Sequence, residues 1–148
     1  MPSGPRMVRG FDVTRIEAAI RAAERRTSGE IRVALSRWYF WGDVRRAGER
    51  AFVRLGMQRT PERNGVLVFV VPWRRRFVIL GDTGIHDQIG PDGWQRIADR
   101  LAPGLRAGEP SAALEAAIAD IGERLASAFP SRGEARPGRL PDEVALDP

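Results

Sequence analysis

Val66-Leu67-Val68-Phe69-Val70-Val71 is the most hydrophobic stretch of this 148-residue chain. An unbroken run of β-branched, aliphatic and aromatic residues is what a strand covered on both faces requires, and such strands sit between helices in α/β sheets. Upstream, Glu30 to Ser36 alternates, with Ile31, Val33 and Leu35 on one side, the period of a half-buried strand. Between them Val44, Ala47, Ala51 and Leu55 recur as one stripe of a helix that opens at Asp43 and ends at Gly56. Strand, helix and strand in that order make a right-handed parallel crossover. Downstream, Pro72 to Arg75 turns the chain and Phe77 to Leu80 supplies a hairpin partner ending at Gly81. The predicted fold class is α/β, a small mixed β-sheet built from a parallel crossover plus an antiparallel hairpin and sandwiched by helices.

Further helices flank this centre. Thr14 and Glu17 form a capping-box pattern ahead of Ile16, Ala19, Ile20 and Ala23, and Ser28-Gly29 stops that helix. Gly81 to Gly93 reads as a loop rich in Gly and Asp. Trp94, Ile97, Leu101 and Leu105 then mark a third helix, which Pro103 is expected to bend or end. Leu114, Ile118, Ile121, Leu125 and Phe129 mark a last helix that stops at Pro130. Residues 1–10 and 131–148 lack periodicity and are expected to be disordered, which leaves one domain over 11–130.

All 24 basic residues are Arg, set against 19 acids, and the chain has no Cys and a single His, His86. Schiff-base chemistry, a P-loop lysine, thiolate nucleophiles and disulfides are therefore excluded. Carboxylates, hydroxyls, Arg and His86 remain, and the natural company of carboxylates is a hard cation such as Ca²⁺ or Mg²⁺. Charge is uneven: residues 1–80 carry 17 Arg and 7 acids, and residues 81–148 carry 7 Arg and 12 acids. The first residues lack the apolar core of a signal peptide, and the longest apolar run, Val66 to Trp73, falls short of the roughly 20 residues of a membrane span. A cytoplasmic protein is expected.

Asp82, Asp87 and Asp92 lie within eleven residues, spaced by Gly81, Gly84 and Gly90, where the chain leaves a strand for a helix. Ligands of open α/β sheets commonly bind at such loops. Three close carboxylates would repel unless a divalent cation joined them, so these residues are the candidate metal ligands. Alternatively Asp92 starts the third helix and Asp82 makes an Asx-turn. Glu30 either reaches the same edge or pairs with an Arg. Arg63, beside Thr60 and Asn64, either receives a phosphate or carboxylate bidentately or belongs to a structured turn in which Asn64-Gly65 supply positive φ. His86 offers a general acid or a ligand, although a lone loop histidine usually serves neither role. Trp73-Arg74-Arg75-Arg76-Phe77 could grip nucleic acid, but a solvated turn is the preferred reading in so Arg-rich a chain. Trp38, Tyr39, Phe40 and Trp41 cannot all face one core and form a candidate protein-partner surface.

Ala23-Glu24, Thr27-Ser28-Gly29-Glu30-Ile31, Leu55-Gly56-Met57, Thr60-Pro61-Glu62-Arg63-Asn64-Gly65-Val66-Leu67, Gly81-Asp82-Thr83-Gly84-Ile85, Trp94 and Phe129-Pro130 together resemble the TPM domain family, in family order over about residues 14–130. Leu140-Pro141-Asp142-Glu143-Val144 is similar, more loosely, to the acidic ending of short bacterial members. The resemblance implies an α/β sandwich, calcium binding in some members and the phosphatase activity ascribed to plant relatives. The family's Asp after its Trp is Gln95 in this chain. The expected function is divalent-cation binding at the acidic loop; any hydrolase activity, which the resemblance alone implies, would be phosphate-ester hydrolysis by metal-activated water. A non-enzymatic interaction module using residues 38–41 is the alternative, and Arg-driven nucleic-acid binding a third reading.

Overall fold

A computed structural model of the chain describes residues 6–36, 41–131 and 143–147. The elements are β1 (Met7–Val8), β2 (Phe11–Asp12), α1 (Val13–Glu24), β3 (Glu30–Ser36), α2 (Val44–Arg54), β4 (Gly65–Val71), β5 (Arg76–Gly81), α3 (Thr83–Ala107), α4 (Pro110–Ala128) and β6 (Ala145–Asp147), with 3₁₀ turns at Met57–Arg59 and Pro72–Arg74. β1 and β2 form a small antiparallel pair, and the main sheet has the order β5-β4-β3-β6. β3 and β4 are parallel and β4 and β5 antiparallel, so the crossover and the hairpin are both present.

Every residue of β4 is buried, because the sheet is covered on both sides. The register Ile31–Val66, Val33–Val68 and Leu35–Val70 lines one face with branched side chains. Ile16 and Ile20 of α1, Ile97 and Leu101 of α3, and Ile118 and Ile121 of α4 close over that face. Each such side chain contributes about 1.5–3 kcal/mol on leaving water. The other face presents Ala34, Leu67, Phe69 and Val71 to α2, which meets it with Val44, Ala47 and Ala51. These contact residues are small because α2 sits close: a Cβ added at Gly48 would lie 2.6 Å from Val78 Cγ1.

Several boundaries differ from the sequence expectation. Asp12, not Thr14, caps α1, accepting from Arg15 N at 3.1 Å. The stretch expected as a Gly-Asp loop is mostly helix, since α3 begins at Thr83 and breaks only at Gly90, where φ is +73°. Pro91 then restarts the helix at a position where a missing N–H costs little. Pro103 does not end α3, which continues to Ala107 between the buried anchors Leu101 and Leu105. Packing at those two positions outweighs one lost backbone hydrogen bond. Among the described residues no helix is long and apolar enough to cross a membrane.

Residues expected to lie in structureless ends also take part in the fold. Met7–Val8 pairs with Phe11–Asp12, and Ala145–Asp147 adds a parallel edge strand to β3. Glu17, buried on α1, ties both ends down: its Oε2 accepts from Val144 N at 2.9 Å and pairs with Arg6 Nη2 at 3.4 Å. Burial pulls the Arg32 guanidinium below its ordinary pKa, and the charge of Glu143 in the same terminal segment opposes that shift. Replacing Glu17 with Ala should cost about 1–2 kcal/mol, the worth of a charged acceptor for a buried amide. Amide exchange at Val144 to Leu146 should accelerate while α4 stays protected. Unchanged exchange there would mean that Glu17 does not hold this end.

Candidate functional site

Asp82 stands where β5 gives way to α3, with an extended backbone that suits an N-cap. Its Oδ1 accepts from Thr83 N at 2.8 Å, and its own amide donates to Gly65 O at 2.9 Å. The carboxylate is 5% exposed and is held bidentately by Arg63, with Nε to Oδ2 at 2.6 Å and Nη2 to Oδ1 at 2.9 Å. Arg63 is thus the bidentate carboxylate receiver that one sequence reading offered, and its carboxylate comes from within the chain. The hydrogen bond and charge of Asp82 raise the Arg63 guanidinium above its ordinary pKa.

The loop feeding this pair is built for it. Arg63 itself, not Asn64 or Gly65, takes the left-handed conformation, with φ of +53°. Its carbonyl accepts from Gly84 N at 2.7 Å, and Asn64 N donates to Thr60 Oγ1 at 3.1 Å. Gly84 has no alternative: an added Cβ would stand 2.1 Å from Glu62 O. Ser28, Glu62 and Asn64 join through side-chain hydrogen bonds at 3.4 Å, and Glu30 N donates to Asn64 O. Nearby, Thr27 Oγ1 donates to Phe129 O, and Ile31 N donates to Glu24 Oε2 at 2.7 Å. Glu30 is 4% exposed, which places it in this polar clasp and away from the solvent-facing carboxylates.

Beside the clasp runs an open groove of about 460 Å³. Arg45, Glu49, Phe52 and Val53 of α2 form one wall, Leu80 and Gly81 the floor, and Asp82, Thr83, His86 and Asp87 the other wall. His86 stacks on Trp94 with ring centroids 6.0 Å apart, and Trp94 Nε1 donates to His86 O at 3.1 Å. Trp94 also lies over Gly81, where an added Cβ would come within 2.5 Å of its ring. Asp82 and Asp87 share the groove, whereas Asp92 lies exposed beyond the Gly90 break and does not line it. Gln95, at the family's Asp position, donates to Asp99 Oδ1 on the surface of α3. Nothing in the sequence singles out the α2 wall; the spacing 45, 49, 52 and 53 is a helical stripe beside the buried one, with no composition to mark it.

The cation implied by the resemblance does not fit the donors Asp82, Asp87 and Asp92 as a closed set. Asp82 already satisfies Arg63 and the start of α3, and Asp92 is elsewhere. Among the described residues no three of His, Cys, Asp and Glu gather as a metal-holding group. Of the aromatic segment, Trp38, Tyr39 and Phe40 lie outside the described residues, and Trp41 packs edge-on against Trp73 at 5.0 Å. Arg74 Nη1 donates to Gly42 O and Arg75 Nη1 to Arg106 O, so two cations of the Arg74–Arg76 run are engaged by backbone carbonyls of the fold.

A profile of the TPM domain matches residues 7–124. The chain belongs to the TPM domain family. It is similar to the BA42 protein of the psychrophilic bacterium Bizionia argentinensis, at 33% identity over 90% of this chain and 91% of that one, with a TM-score of 0.81. The N-terminal domain of the cg2496 protein from Corynebacterium glutamicum shares the fold at 16% identity, over 86% of this chain and 76% of that one, with a TM-score of 0.59. The N-terminal domain of a P. gingivalis protein does so at 19% identity, over 76% and 72%, with a TM-score of 0.60. Among curated proteins none matches. In this TPM domain the stretches that carry the family likeness, Thr27 to Ile31, Thr60 to Leu67 and Gly81 to Ile85, meet in the clasp around Arg63 and Asp82. Asp82→Ala removes the cap of α3, a loss of about 0.5–2 kcal/mol from that contact alone, before the missing partner of Arg63 is counted. Asp82→Asn should retain part of the cap and fall between the two in thermal melting, and a variant as stable as the parent would show that the clasp is not structural.

Proposed function

We propose that this TPM domain is a protein-interaction module that takes a segment of a partner chain into the α2–α3 groove. The observation that carries this reading is the composition of the groove. Phe52, Val53 and Leu80 give an apolar bed, while Glu49 and Asp87, both exposed, stand on facing walls against the single exposed cation Arg45. With Asp82 neutralised by Arg63, the rim carries two free-facing carboxylates to one guanidinium. Such a site suits a segment presenting an apolar side chain next to a basic one, the apolar group supplying affinity and the carboxylates the register.

A direct test uses acetylated dipeptide amides that pair Leu with Lys, Glu or Ser, titrated against the whole chain by amide chemical shift. The Leu-Lys probe should move the amides of Glu49 to Val53 and Leu80 to Asp87, and Asp87→Asn with Glu49→Gln should weaken it by roughly tenfold, as expected for two partly screened charge contacts. Equal response to all three probes, or none, would remove the proposal.

A second reading keeps a divalent cation, Ca²⁺ or Mg²⁺, and the phosphatase activity ascribed to plant relatives. It is favoured by one observation, that Asp82 and Asp87 line the same groove as Glu49. The donors left for the ion are Asp87 and Glu49 with water and backbone carbonyls, a sparse shell for a cation that takes six or more oxygens. Calorimetric titration of each ion into the parent chain and Asp87→Asn separates the readings: the interaction module gives no heat with either ion, and heat that disappears in Asp87→Asn would restore the cation.

A further inference from the structure

The groove takes Arg45, Glu49, Phe52 and Val53 of α2, and the arginines beyond Glu49 and Val53 stay outside it. α2 buries Val44, Ala47, Gly48 and Ala51. At about 100° per residue, the opposite side of the helix is Arg46, Glu49, Arg50 and Val53, with Arg54 alongside. All five are exposed, and Val53 is 61% exposed, an aliphatic side chain that shares a shallow surface with Arg46, Glu49, Arg50 and Arg54. Just before the helix, Trp41 is 84% exposed. It is backed by the edge-on contact with Trp73, and the adjoining turn is fastened by Arg74 Nη1 donating to Gly42 O at 2.8 Å.

We propose that this face of α2 rests on an anionic lipid bilayer, with Trp41 and Val53 entering the headgroup region and Arg46, Arg50 and Arg54 meeting lipid phosphates and carboxylates. Two properties select this occupant. α2 carries four Arg against one acid, Glu49, a complement to a negative surface. The apolar members are a Trp and a Val: an indole is at home where headgroups meet hydrocarbon, and a Val gains from leaving water there. A nucleic acid offers phosphates to the same arginines but no apolar medium for Val53. Two copies meeting through this face would oppose like charges. No described helix can span a bilayer, so attachment through this face is peripheral and reversible.

Co-sedimentation of the whole chain with sucrose-loaded vesicles tests this. Vesicles of phosphatidylcholine and phosphatidylserine at roughly 2:1 should pellet the protein, and vesicles of phosphatidylcholine alone should not. The triple replacement Arg46→Gln, Arg50→Gln, Arg54→Gln should weaken partitioning roughly a hundredfold, as three lost surface cations imply. Trp41→Ala should weaken it as well and diminish the blue shift of Trp fluorescence on binding. If the triple variant melts early, salt response of the parent chain serves in its place: binding should fall steeply as the Debye length shortens. Equal pelleting with both vesicle types, salt-indifferent binding, or no pelleting at all would overturn the proposal. So would binding of single-stranded RNA through the same arginines by a chain that ignores both vesicles.

Discussion

The bidentate pair between Arg63 and Asp82 fixes how the two halves of the domain meet. Asp82 starts α3, and Arg63 ends the loop that delivers the chain into β4, so the pair ties the start of that helix to the entry of the central strand. The pair is reinforced where side chains could not help. Gly84 N reaches Arg63 O because Gly84 has no Cβ, and Asp82 N reaches Gly65 O at the start of β4. A left-handed Arg is costly in isolation, and here three backbone and side-chain contacts of the same residue hold it there. The N-terminal part of α3, which bears His86 and Asp87, starts from that junction.

The sheet is legible in the sequence because its strands obey their periods over six or seven residues. The alternation from Ile31 to Leu35 has the strand period, the short length and β-branched, aromatic composition of Val66 to Val71 mark a strand, and a helix between them leaves a parallel crossover as the simplest topology. Elements too short to have a period are not legible in this way. Met7–Val8, Phe11–Asp12 and Ala145–Asp147 are specified by tertiary contacts, with Glu17 on α1 accepting from Val144, 127 residues away in sequence. The stretch Gly81 to Gly93 misleads for a different reason. Its glycines look like loop residues, yet each answers a separate steric demand. Gly81 makes room for Trp94, Gly84 for the approach of the Arg63 loop, and Gly90 takes the positive φ that breaks α3. Asp82 stands out from sequence as a special position, but local sequence cannot say whether its partner is an ion or an arginine 19 residues earlier.

Family likeness and the groove therefore overlap at Gly81, Asp82 and Thr83, whereas the α2 wall lies outside the stretches that carry the likeness. A carboxylate that is capped, buried and doubly bonded to a guanidinium is stabilised as a structural anion, and freeing it for a ligand would leave Arg63 uncompensated and α3 uncapped. The exposed acids, Glu49 and Asp87, have no such commitments as anchors of the fold, and they come from elements on opposite sides of the groove. No hydrogen bond of the clasp involves Arg45, Glu49, Phe52 or Val53 among the described contacts.

α2 is the element that both proposed surfaces share. Among the described residues α2 covers its face of the sheet together with Met57 and Trp73, whereas three helices share the other, and the outer side of α2 is exposed. Toward α3 it contributes Arg45, Glu49, Phe52 and Val53 to a mixed-charge groove; away from the sheet it presents Arg46, Arg50, Arg54 and Val53, with Glu49 shared between the two, on a shallow, mostly basic face. Val53 belongs to both surfaces, at the ridge where they meet. A bilayer seated on the strip would therefore cover one lip of the groove, and a segment bound in the groove would be held close to the lipid. Since Val53 cannot be fully buried by both at once, occupation of one surface must alter the affinity of the other, and by thermodynamic linkage the effect is the same in both directions.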